Sequence, residues 1–140
     1  MGTVAVEALG RSGFDWLVLD TEHSPNDVLG VMAQLQVLAA FDLSPVVRIA
    51  WNDIVLIKRM LDIGAQTLLV PFIETAEDAR RLVSYTRYPP AGLRGVATGH
   101  RANQFGRVTD YLATASVGGA VVGGRPVAVH ERCGGLRGGR

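Results

Sequence analysis

Trp16-Leu-Val-Leu-Asp20, followed at once by Thr-Glu-His-Ser-Pro25, carries an apolar run straight into two acids, an imidazole and a helix-start signal. The run is strand-sized and does not alternate, as expected of a strand in a parallel sheet covered on both faces. Ser24 reads as an N-cap with Pro25 at the first helical position. Asp27 then falls in the first turn, where a negative charge favours the helix dipole. Val28, Val31, Met32, Leu35, Leu38 and Ala39 follow at helical spacing. The stretch therefore reads as one strand–loop–helix unit.

The same unit recurs on the C-terminal side. Pro45-Val-Val-Arg-Ile49 is the next strand, and Asn52 or Asp53 caps a helix with an inner face of Ile54, Ile57, Met60 and Leu61, closed by Gly64. Thr67-Leu-Leu-Val-Pro71 is a third strand. Thr75, with Asp78 three residues on, forms a capping-box pattern that starts a helix over 76–86. Leu93–Thr98 is expected as a fourth strand and Asp110–Ser116 as a short helix, while the residues before Trp16 read as a first helix. Strand starts near residues 16, 45, 67 and 94 recur at βα spacing, which fits either a doubly wound sheet or a (β/α) barrel. No G-x-G-x-x-G follows the first strand, which weakens the dinucleotide-binding version.

Composition narrows the function classes. The chain has 140 residues, 48% apolar and 19% charged, enough hydrophobic material for a core but short of the roughly 250 residues of a complete barrel. A formal net charge of +1 gives no reason to expect nucleic acid or a membrane as partner, and a cytoplasmic protein is the default. The lone Cys133 excludes an intrachain disulfide and a multi-cysteine zinc site. Near residue 117 the composition breaks. Residues 117–140 hold eight of the 17 glycines, four arginines and one acid, whereas residues 1–116 carry ten basic against twelve acidic residues. A partial barrel domain over 1–116 and an irregular Gly/Arg-rich tail over 117–140, frame-shifted or disordered, are the expected units, with only Pro126–Val129 fit for a short strand.

Ligands of both architectures bind beyond the carboxyl ends of the strands, so the polar residues there are the candidates. His23 reads as a general base that Glu22 or Asp20 orients or assists by holding a metal-bound water, or else as a partly exposed loop residue with the two acids as caps. Arg48, inside an apolar strand, fits either a carboxylate ligand or an ion pair with an acid from a neighbouring strand. Asp62 opposes the dipole of its own helix end and so calls for a partner, His23 across the barrel mouth or simply solvent. Lys58, the only lysine, lies within a helix, which argues against Schiff-base chemistry. His100 reads as an ordinary loop residue, and His130 with Cys133 does not close a zinc site.

Several consecutive segments make the chain recognisable. Gly13–Asn26, Pro45–Arg48, Trp51–Asp53, Leu61–Pro71 and Arg87–Gly95 resemble, in order and spacing, the signatures of the HpcH/HpaI family of metal-dependent pyruvate aldolases, enzymes of aromatic catabolism. The resemblance covers about residues 4–116. It implies an α/β fold, an incomplete (β/α)8 TIM barrel comprising about its first half, with open sheet edges and an uncovered core. It also implies retro-aldol cleavage of a 4-hydroxy-2-oxo acid to pyruvate and an aldehyde. On the matching positions His23 is the acid/base, Asp62 its partner, and Arg48 the residue that holds the oxo-acid and stabilises enolate charge. The family uses Mg²⁺, Mn²⁺ or Co²⁺, but its glutamate and aspartate ligands lie beyond the matching region. The expectation is a homo-oligomeric family, here represented by a truncated chain that does not bind the ion and is weakly active or inactive. The alternative is a non-catalytic half-barrel serving oligomerisation or small-molecule binding.

Overall fold

The computed structural model describes residues 2–115, together with the backbone of Val117–Gly118 and Val127–Glu131. Helix α1 (Thr3–Gly10) is followed by β1 (Trp16–Asp20), α2 (Val28–Leu38), β2 (Ser44–Arg48), α3 (Ile54–Asp62), β3 (Thr67–Val70) and α4 (Ala76–Thr86). A 3₁₀ turn (Arg101–Asn103), helix α5 (Tyr111–Thr114), β4 (Val117–Gly118) and β5 (Val127–Glu131) complete the order. β1 pairs with β2 and β2 with β3, both parallel, with Leu19 opposite Val47 and Val47 opposite Leu68. Each strand lies beside the next in the chain, with no reversal of order among the three. A doubly wound sheet needs such a reversal, whereas a barrel winds in one direction.

The register explains the core. Leu19, Val47 and Leu68 share one face of the sheet and are fully buried against Val31, Leu35 and Leu38 of α2, Ile57 and Leu61 of α3, and Leu82 of α4. The other face, carrying Val18, Asp20, Val46, Arg48 and Leu69, is half-buried. The continuous apolar runs predict two covered faces, but among the described residues helices cover one. The face turned toward the inside of a barrel is the one left open.

Local chemistry sets most element ends. The Thr75 hydroxyl accepts from the Asp78 amide while the Asp78 carboxylate accepts from the Thr75 amide, the predicted capping box. Asp53, not Asn52, caps α3 through the amides of Val55 and Leu56. Gly64 adopts φ +97°, and a Cβ there would lie 2.5 Å from the Arg101 guanidinium, so glycine closes α3 for two reasons. α2 begins later than expected: its N-cap is Asp27, accepting from the Gly30 amide, rather than Ser24. The Ser24 hydroxyl donates instead to the Asp20 carbonyl, which ties it into the loop.

The fourth strand expected at Leu93–Thr98 is not formed. Leu93 and Arg94 donate their amides to the carbonyls of Ser84 and Arg87, so this segment folds back on the end of α4 rather than joining the sheet. The free edge of β3 is met by β5, which pairs antiparallel with Thr67 opposite His130 and Val70 opposite Val127. This strand overlaps the one stretch of the tail expected to form one. Apart from β4 and β5, the 117–140 tail, including Cys133, falls outside the described residues. Shortening Leu68 tests the packing directly. Leu68→Ala should cost about 2–5 kcal/mol, seen as a lowered urea midpoint with an unchanged denaturant slope.

Candidate active site

The carboxyl ends of β1 and β2 place their last residues, Asp20 and Arg48, opposite one another in register. The Asp20 carboxylate accepts two hydrogen bonds from the guanidinium, Arg48 Nε to Oδ1 at 2.9 Å and Arg48 Nη2 to Oδ2 at 2.6 Å. The same Oδ1 accepts from the amides of Glu22 (2.9 Å) and His23 (3.3 Å), so this carboxylate also folds the loop that follows it. Thr21 bonds the Arg48 carbonyl through both its amide and its hydroxyl. Farther on, the Asn26 amide donates to buried Gln34 of α2 and fastens the loop's far end.

This arrangement presents Glu22 and His23. The Glu22 carboxylate, almost fully buried, lies 3.2 Å from Arg48 Nη1 and 3.3 Å from His23 Nε2, while the imidazole itself is largely exposed at the rim. Glu22 thus bridges the imidazole and the guanidinium. Among the described residues, the two carboxylates face three of the five guanidinium N–H groups, which leaves two for a ligand. With His23 neutral the four side chains carry a net −1, and with His23 protonated they are neutral, so an anion is better accepted in the protonated state. The Arg48 hydrogen bonds, with help from the two loop amides, hold the Asp20 carboxyl far below the usual carboxylate range despite opposition from burial. Asp20 caps the loop and forms the inter-strand ion pair, and the Glu22 carboxylate is the group in contact with the His23 imidazole.

Asp62 does not meet His23. Its carboxylate accepts from Arg94 Nη2 at 3.0 Å, and His100 Nε2 lies 4.0 Å away. The physical reason is the folded-back 93–103 segment, which buries the Arg94 guanidinium completely, stacks it 4.6 Å over the Tyr88 ring, and supplies the counter-charge that the end of α3 lacks. His100, expected as an ordinary loop residue, is buried and caps the 3₁₀ turn, its Nδ1 accepting from the Asn103 amide. Burial lowers its pKa; the Asp62 charge opposes this and the Arg94 charge adds to it. The sequence signal for this cluster was Asp62's own need for a partner, together with an arginine in the Arg87–Gly95 segment.

Two rings at the rim also escaped the sequence reading. Arg48 is opposite Leu69, and Trp51 and Phe72 each lie three residues beyond that pair, so β2 and β3 bring them side by side. Their centroids are 4.8 Å apart and both rings are half-exposed. Phe72 sits at φ +57°, the left-handed region, at a cost of about 1–2 kcal/mol for a residue with a side chain.

Parallel β/α units with ionisable groups gathered at their carboxyl rim define the class of (β/α)-barrel enzymes. Within that class, the chain belongs to the HpcH/HpaI aldolase/citrate lyase family, whose model matches residues 3–120. It is 56% identical over 110 residues to the 5-keto-4-deoxy-D-glucarate aldolase of Salmonella arizonae, a match covering 79% of this chain and 43% of that protein. A HpcH/HpaI aldolase/citrate lyase family protein from Burkholderia cenocepacia superposes with a TM-score of 0.78 at 48% identity, over 81% of this chain and 46% of that one. For a HpcH/HpaI aldolase from Desulfitobacterium hafniense the TM-score is 0.62 at 32% identity, over 68% and 37%. The chain spans less than half the length of each of these relatives, and its three parallel units are part of a TIM barrel.

Two of the perturbed groups, His100 and Asp20, make stability depend on pH in a stated direction. A lowered folded-state pKa at His100 means that the unfolded chain protonates first, so stability is full above about pH 6.5 and declines as pH falls below it. Asp20 adds stability that is full above its unfolded value of 3.8 and is lost as pH falls below that. The melting temperature should therefore fall between pH 7.5 and pH 5. His100→Asn, which keeps a capping oxygen, should flatten that segment, and an unchanged slope in the variant would count against the assignment.

Proposed function

We propose that residues 2–115 form the acid/base and anion-binding part of a carbon–carbon lyase that cleaves a 4-hydroxy-2-oxo acid to pyruvate and an aldehyde. The observation that carries this reading is Glu22, which joins His23 to Arg48 at the carboxyl ends of adjacent parallel strands. It is supported by membership of an aldolase and lyase family.

In this scheme the free N–H groups of Arg48 hold the 2-oxo acid. His23, steadied by Glu22, takes the proton of the 4-hydroxyl. The C3–C4 bond then breaks, the aldehyde carbonyl forms at C4, and the bonding electrons pass into the enolate of pyruvate. Arg48 stabilises the negative charge on that oxygen, and the proton returns at C3 from His23. Asp62, held by Arg94, is assigned no proton transfer.

The divalent ion that the family resemblance implies does not fit the described residues. Among them no group of three or more His, Cys, Asp and Glu is arranged to hold a metal, and the carboxylates of Asp20 and Glu22 both face Arg48. A hard divalent ion needs an oxygen-rich shell with one or two available carboxylates. No step is therefore routed through it, and the 140-residue chain alone should release no pyruvate in a Mn²⁺-stimulated manner.

A chimera tests the reading. Residues 2–115 joined to the parts of the Salmonella arizonae aldolase outside the match should release pyruvate from a 4-hydroxy-2-oxo acid. His23→Ala in that chimera should lower kcat about 10²–10⁴-fold. A folded chimera that binds pyruvate through Arg48 without turnover would replace catalysis with small-molecule binding. Mn²⁺-stimulated, His23-dependent turnover by the 140-residue chain alone would show that its own residues suffice.

A further inference from the structure

We infer that Asn26 is a positioning residue for His23: its side chain lies over Gly30, pairs with the buried amide of Gln34, and so fixes where the loop between β1 and α2 delivers the imidazole. This rests on the proton-transfer role proposed for His23 and names what holds that group in place.

Two residues of α2 are poor choices for the helix taken alone, and the Asn26 side chain accounts for both. Gln34 is 1% exposed, on the face that otherwise buries Val31, Leu35 and Leu38. A buried amide is costly unless it is hydrogen-bonded, and an apolar residue would suit the core better. Asn26 meets it on both sides, Nδ2 donating to Gln34 Oε1 at 3.1 Å and Oδ1 accepting from Gln34 Nε2 at 3.4 Å. Gly30 stands in the first turn of the helix, where alanine would be the better helix former. A Cβ at Gly30 would lie 2.4 Å from Asn26 Oδ1, so the space left by glycine is the space that Asn26 occupies.

The stretch from Asn26 back to His23 is short and tied. The Ser24 hydroxyl donates to the Asp20 carbonyl, and the Ser24 carbonyl accepts from the Asn26 amide at 2.8 Å. Between them, Pro25 has its φ fixed by its ring. A shift of Asn26 is therefore passed through Ser24 to His23. The imidazole is largely exposed and rests on Glu22 at 3.3 Å, so the loop backbone sets its place more than packing does. Arg48, in contrast, ends β2 and is held by two hydrogen bonds to Asp20. Loosening Asn26 thus disturbs the group that moves the proton and spares the group that holds the anion.

The test compares Asn26→Ala, Gly30→Ala and the double variant with the parent 140-residue chain. Order of the His23 ring is read from ¹³C relaxation of its Cε1–H group, and integrity of the fold from the melting temperature. Each single variant should lower the ring order parameter from near that of rigid backbone to below about 0.6. Gly30→Ala should melt at the same or a higher temperature, because it improves the helix. The double variant should be no looser than Asn26→Ala, since the added methyl group then displaces nothing. In the chimera with the Salmonella arizonae aldolase, Gly30→Ala should lower kcat about 10- to 10²-fold and leave KM unchanged. A ring equally mobile in parent and variants, losses that add in the double variant, or an unchanged kcat would overturn the inference while His23→Ala still lowers turnover. A fall in the melting temperature of Gly30→Ala alongside the loss of ring order would overturn it too, by giving Asn26 a purely structural role. A chimera indifferent to His23→Ala would overturn the proton-transfer reading and this inference with it.

Discussion

The ion pair between Asp20 and Arg48 joins the ends of two parallel strands and, through the same carboxylate, folds the loop that carries Glu22 and His23. A guanidinium on a half-buried sheet face needs a counter-charge, and the parallel register places an aspartate opposite it. Once that bond forms, Glu22 is pressed against Nη1 and the imidazole is set at the rim. The bidentate geometry matters more than the charge alone, because two parallel N–H···O bonds fix the plane of the guanidinium. What remains free on that plane is then directed rather than mobile.

A second charge problem is solved by other means. Asp62 ends α3 with a negative charge where the helix dipole disfavours one, and the chain answers with an arginine from a segment more than thirty residues on. That arginine is fully buried, stacked on Tyr88 and bonded to the carboxylate, which places the 93–103 segment against α3. Arg101 reinforces the same contact by donating to the Ile63 carbonyl. The charge that looks functional in isolation thus has a structural consequence: it fixes where the chain runs after α4.

The open face of the sheet carries apolar and charged groups together. Helices cover Leu19, Val47 and Leu68, while Val18, Val46 and Leu69 face the half-buried side on which Asp20 and Arg48 also lie. Polar groups are thereby set into an apolar wall, the usual make-up of a small-molecule site.

The sequence by itself determined the β/α units, the Thr75–Asp78 capping box that starts α4 and the packing faces of the helices, because these follow from short-range spacing and local hydrogen bonds. It was enough to recognise the family and to single out His23, Arg48 and Asp62. The start of α2 was misread because Ser24 spends its hydroxyl on the Asp20 carbonyl, a loop contact that competes with capping. The strand expected at 93–98 failed for a similar reason: an apolar run takes its partner from whatever edge reaches it, and here the end of α4 did. Only the tertiary structure decided that Asp62 belongs to Arg94, that Glu22 bridges His23 and Arg48, and that Trp51 meets Phe72. Each of these pairings depends on strand register or on a chain reversal, which bring together residues that no local pattern in the sequence connects.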